Sequence, residues 1–156
     1  YDYKIYNEWF DENVFSIGFF GKTTNSLSGE DVKLSDRLYL PASKLRGFES
    51  GKVGPKDGAD YIGGNYAASI NIATSLSQIL PNSQNTDFSI FFDAANVWGI
   101  DYSSSLSDES KIRSSVGIAL DFFTPIGPLS FSLSEPITKG NNDIAESFRF
   151  NLGTTF

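Results

Sequence analysis

The chain has 156 residues and a formal net charge of −7, with 12 Lys and Arg against 19 Asp and Glu, and it contains no Cys, His or Met. These absences exclude Cys–His and Ser–His nucleophile pairs, thiolate metal sites and imidazole bases. An acidic chain with no basic cluster offers nucleic acid nothing to hold, so neither nucleic-acid binding nor enzymatic chemistry is expected.

The length suits one domain. No run of eighteen or more apolar residues is present to form a membrane helix, and no signal-peptide pattern opens the chain. A start at Tyr1 with no Met anywhere reads as an excised or mature segment.

Taken in order, turn residues cut the chain into about eight strands. These fall near 1–8, 13–22, 32–40, 62–77, 87–98, 112–122, 128–135 and 147–156. The period is two. In the sixth, Val116, Ile118, Leu120 and Phe122 alternate with Ser115, Gly117, Ala119 and Asp121. In the seventh, Leu129, Phe131 and Leu133 alternate with Ser130, Ser132 and Ser134. In the last, Phe148, Phe150, Leu152, Thr154 and Phe156 oppose Arg149, Asn151, Gly153 and Thr155. Such strands have one greasy and one wet face. Periodicity alone fits a soluble antiparallel sandwich and a membrane barrel equally.

The connections at 41–61, 99–111 and 136–146 are long and polar, whereas those at 78–86 and 123–127 are short. Alternation of this kind is typical of outer-membrane barrels, whose outer loops are long and periplasmic turns short. The connection at 8–13 is the exception, short where a long loop is expected. Asp108–Glu109 and the pair Asp143 and Glu146 do not match a calcium-loop spacing and read as solvated loop charge. Trp98 and Tyr102 read as interfacial aromatics.

Three ordered stretches carry a specific resemblance. The first is Leu45-Arg46-Gly47-Phe48, followed by Val53-Gly54-Pro55-Lys56. The second is Phe91-Phe92-Asp93-Ala94-Ala95-Asn96-Val97-Trp98. The third runs Thr124-Pro125-Ile126-Gly127-Pro128-Leu129, then Ser134-Glu135-Pro136, then Phe148 to Phe156. Together they resemble the BamA family of outer-membrane protein assembly factors.

The resemblance implies an all-β fold, an antiparallel up-and-down transmembrane β-barrel. Residues 1–156 would supply the C-terminal half of a sixteen-stranded barrel, with 41–61 as a lumen-folding loop and 147–156 as the closing strand. It implies that Arg46 reaches inward to Asp93, that Gly47 turns the loop and that Phe48 anchors it. An acidic partner of the family falls at Asn71, which can accept a hydrogen bond but brings no charge, and Asp121 is a candidate to assist. Phe148, Phe150, Gly153 and Phe156 would form the seam strand.

The implied function is insertion and folding of client barrel proteins through a lateral seam in the bacterial outer membrane. No cofactor or metal is implied. Expected partners are the lipid bilayer, client outer-membrane proteins, periplasmic repeat domains of the parent chain and accessory lipoproteins. With half the family's strands, the segment would close as a small barrel, stay open, or self-associate. The alternatives are a related barrel transporter (TamA-like or a two-partner secretion pore), a passive pore and a soluble β-sandwich binding module.

Overall fold

The computed structural model describes residues 1–10, 13–27, 29–79, 85–101, 106, 108–125 and 127–152. Among these, seven strands form the main sheet: β1 (Asp2–Phe10), β2 (Asn13–Thr23), β3 (Tyr66–Ser75), β4 (Thr86–Trp98), β5 (Arg113–Thr124), β6 (Gly127–Thr138) and β7 (Phe148–Leu152). Each pairs antiparallel with the next in one up-and-down meander. β1 and β7 are its two edges, so this chain alone does not close a barrel.

Register aligns the two kinds of side chain in rows. Ile90, Ile118, Leu133 and Phe148 are successive cross-strand partners from β4 to β7. One position along, Ser89, Ala119, Ser132 and Arg149 form the neighbouring row on the opposite face. A slip of one residue would invert every row, so the alternation itself specifies the pairing. Leu133 and Phe148 are 53% and 55% exposed, whereas Ser132 and Arg149 are 7% and 8% exposed. The greasy face therefore looks outward with no protein over it, and the small polar face is the covered one. A soluble sandwich would bury the greasy side against a second sheet. The sandwich reading is thus overturned by which face is covered, and a bilayer is the solvent that suits the other.

The stretch 32–40 is not a strand, which corrects the expected count from eight to seven. Leu34–Asp36 is a turn of 3-10 helix, and Leu38 makes an isolated antiparallel bridge to Gly64. Leu38 and Leu40 are buried because they pack on the sheet's inner face, which produces an alternation that mimics a strand. The correction also removes the anomaly at 8–13. With seven strands, the connections at 11–12, 76–85 and 125–126 lie at one end and those at 24–65, 99–112 and 139–147 at the other. The two shortest connections, 11–12 and 125–126, thus share one end and the two longest, 24–65 and 99–112, the other, and β7 runs towards the end of the short ones.

The β2–β3 loop, residues 24–65, lies across the inner face. Its Leu38, Leu40, Leu45, Phe48 and Val53 pack with Ala67 of β3 and Ala95 and Val97 of β4, with Phe20 of β2 at the margin. This cluster is the hydrophobic core of the chain. It lies between loop and sheet.

Candidate functional site

Within that loop, the segment from Ala42 to Phe48 crosses the inner face and touches most of the sheet's width. Arg46 is at its centre. Its backbone N–H and Nε both donate to Asp93 Oδ2, at 3.0 and 2.7 Å, and Nη2 donates to Asp93 Oδ1 at 2.8 Å. The planar guanidinium matches the carboxylate with two parallel bonds, which fixes orientation as well as distance. Asp93 is completely buried, so its carboxylate is shielded from competing water, while the Arg46 side chain keeps 23% exposure. The guanidinium carbon also lies 3.4 Å from the centroid of the Phe91 ring, two residues along the same inner face of β4.

Neighbouring groups complete the clasp. Asn71 Nδ2 donates to Asp93 Oδ1 at 2.9 Å and to the Lys44 carbonyl at 3.0 Å. It was expected to accept, and it does accept from Ser69 Oγ at 3.2 Å, but towards the clasp it is a donor. That role needs an amide, because a carboxylate has no proton to give at neutral pH. Ser115 Oγ of β5 donates to the Arg46 carbonyl. Gly47 follows with φ +89, and a Cβ there would lie 2.9 Å from Ser115 Cβ, so both conformation and space require glycine. Phe48 is buried in the core cluster. Asp121 does not reach Arg46; it accepts a hydrogen bond from Ser130 Oγ.

Charged contacts also hold the segment at both margins of the sheet. Lys44 Nζ donates to Asp2 of β1 at 2.8 Å. Arg149 of β7 donates through Nη1 to the Ala42 carbonyl at 2.6 Å and through Nη2 to the Phe48 carbonyl. At the long-loop end, Arg113 of β5 pairs with Asp143 at 2.8 and 3.2 Å, both side chains 1% exposed. Asp143 also accepts from the Gly54 N–H at 3.2 Å, so it joins the β6–β7 loop to the β2–β3 loop. It is not solvated charge, as expected from sequence; burial with Arg113 corrects that reading. Glu146 bonds Arg149 Nε at 2.8 Å, and Glu109 accepts from Asn141 Nδ2 at 2.9 Å.

The seam residues divide. Phe148 and Phe150 point outward and pack on Phe131 with ring centroids 6.5 and 5.0 Å apart. Gly153, Phe156 and Tyr102 lie outside the described residues. Trp98 stacks on Tyr66 at 5.7 Å, at the long-loop end of the sheet. Ser115, Arg113 and Arg149 were assigned no role from sequence, Phe91 entered only as part of a motif, and Asp143 was read as solvated loop charge. One signal was present for the two arginines: Arg113 is in phase with Ser115, Gly117 and Ala119, and Arg149 with Asn151, on the small or polar face of its strand, where a guanidinium that is covered needs partners.

An antiparallel meander, greasy outside and polar inside, with a long loop ion-paired across its inner face, defines a segment of an outer-membrane β-barrel. The Omp85 superfamily domain matches residues 1–156 throughout, and the chain belongs to that superfamily. Its place is the bacterial outer membrane.

The chain is 31% identical over 141 residues to the outer membrane protein assembly factor BamA of Neisseria meningitidis serogroup B, covering 72% of this chain and 17% of that protein. It is 30% identical over 141 residues to a SAM50-like protein of Schizosaccharomyces pombe, covering 85% of this chain and 29% of the relative. The crystal structure of BamA from Haemophilus ducreyi lacking POTRA domains 1–3 matches with a TM-score of 0.85 and 29% identity, over 96% of this chain and 33% of that one. The chain spans 17% and 18% of the length of BamA from Neisseria meningitidis and from Neorickettsia risticii, two of the relatives it matches.

Proposed function

We propose that this chain is the part of an outer-membrane assembly barrel that carries the lumen loop and the seam strand, and that the parent inserts and folds client barrel proteins. The supporting observation is the loop segment 42–48 fixed across the inner face by Arg46 and Asp93. An inner face occupied by a packed, ion-paired loop suits a barrel whose working part is its edge rather than an open channel.

A free strand edge in lipid leaves N–H and C=O groups with no water to satisfy them. A client strand supplies those partners by adding to the sheet. In this reading Phe148 and Phe150 keep the seam strand greased towards the bilayer. Periplasmic repeat domains of the parent receive clients, and accessory lipoproteins dock there. The work is non-covalent, so no catalytic residue, cofactor or metal is assigned.

The test uses the full-length parent in cells depleted of the wild-type protein. Arg46→Ala and Asp93→Ala lower the amounts of client barrels in the outer membrane at equal parent levels. Normal client amounts in both variants, together with raised small-solute permeability, would make the protein a passive pore instead.

A further inference from the structure

The inner-face bonds of Arg149 are not accounted for by sheet pairing. β7 is an edge strand whose described pairing to β6 covers five positions, Phe148 to Leu152. Its inward side chain Arg149 is 8% exposed and reaches past β6 to the carbonyls of Ala42 and Phe48, 107 and 101 residues away in sequence. Those carbonyls are the two ends of the loop segment that Arg46 locks to β4. The lead into β7 is held by the same segment: Ala145 and Glu146 pair antiparallel with Phe48 and Gly47. Beyond that ladder, the Glu49 N–H donates to the Ile144 carbonyl at 2.9 Å, and the Ile144 N–H donates to the Lys52 carbonyl at 3.1 Å. Glu146, bonded to Arg149 Nε, orients the guanidinium so that its remaining donors face the loop.

We propose that the lumen loop clamps the terminal strand, with Arg149 as the positioning residue, so that β7 and the Arg46–Asp93 clasp open and close as one unit. This inference rests on the assembly reading only for its purpose; the clamp itself is a physical coupling. The geometry supports it because a guanidinium bonded to two carbonyls six residues apart holds both ends of the segment at fixed distance from β7. Releasing Arg46 removes the anchor that keeps those carbonyls in place. The terminal strand then keeps its ladder to β6 and loses its attachment to the interior. A strand held on one edge only is the kind that local opening selects.

Hydrogen exchange on the full-length parent in lipid nanodiscs, without clients, tests the clamp. Arg149→Met is expected to speed exchange of the 144–152 amides by about tenfold or more while leaving β3 unchanged, as local opening requires. Arg46→Ala is expected to speed the same amides, and adding Arg149→Met to it should give little more, because both act through one contact chain. Unchanged exchange in Arg149→Met, or effects of the two substitutions that simply multiply, overturns the clamp. Arg149→Lys keeps the charge but not the fork, and gives the same comparison at smaller amplitude if the methionine variant does not fold; wild-type exchange in it also overturns the proposal. Client assembly is scored separately. A clamp that behaves as expected in a parent that assembles no clients counts against the proposed function and leaves the coupling standing.

Discussion

Phe91 and Arg46 form a stacked pair, the guanidinium carbon 3.4 Å from the ring centroid, and the ring in turn lies over Gly117 of the next strand. A Cβ at Gly117 would come within 2.6 Å of Phe91 Cζ and 2.3 Å of the Leu133 carbonyl oxygen. The ring can tilt, but the β6 backbone cannot withdraw without weakening its ladder. Gly117→Ala is therefore expected to cost about 1–3 kcal/mol, the usual range for overpacking. Urea unfolding of the lipid-reconstituted parent reads this as a lowered midpoint. An unchanged midpoint would mean that the strand absorbs the methyl group.

Asn71→Asp should loosen the loop, although the family resemblance places an acid at this position. The substitution removes the donor to the Lys44 carbonyl and to Asp93 Oδ1, and sets a second carboxylate directly against that of Asp93. A lost buried bond with an unpaired acceptor costs about 1–3 kcal/mol. Exchange of the amides of residues 42–48 should rise accordingly. Slower exchange than in the native protein would show that Arg46 gains more from a second charge than the carbonyl loses.

Asp143→Ala is expected to be the most damaging single change at the long-loop end. It leaves Arg113, 1% exposed, without its carboxylate and takes the acceptor from the Gly54 N–H. Breaking one side of a buried pair costs about 3–5 kcal/mol. Limited proteolysis should cut both the 24–65 and 139–147 connections faster. Cleavage confined to the second would show that Asp143 does not link them.

Asp101, just beyond β4, gives the long-loop end a defined acid response. Burial raises its pKa, but hydrogen bonds from Asn65, the Val32 N–H and Arg37 outweigh it and lower the pKa to about 2, from 3.8. A depressed carboxylate contributes stability above its unfolded pKa and loses it as pH falls through the folded one. Protection of the Val32 and Arg37 amides should therefore hold at pH 4 and above and fade towards about pH 2. In Asp101→Asn the same amides should show no such dependence, and a dependence that persists would assign the response to another acid.

Much of the fold was legible because a strand between lipid and lumen must alternate at every second residue. Val116, Ile118 and Leu120 against Ser115, Gly117 and Ala119 state that face by face. The segment at 32–40 misled for a physical reason: Leu38 and Leu40 alternate because they pack into the loop–sheet cluster, and burial against a surface imposes the same period as membership of the sheet. Arg46 and Asp93 were paired through family resemblance, not spacing, since 47 residues separate them.

Local chemistry thus determined which residues face lipid, how the meander turns and that one face stays polar. Tertiary structure alone decided what occupies that polar face. The carboxylate that Arg113 meets is 30 residues away and the carbonyls that Arg149 meets are 107 and 101 away, and Asp143 looks like any loop acid until Arg113 is seen against it. A side chain's period depends on its own strand, but its partner depends on where a distant loop comes to rest.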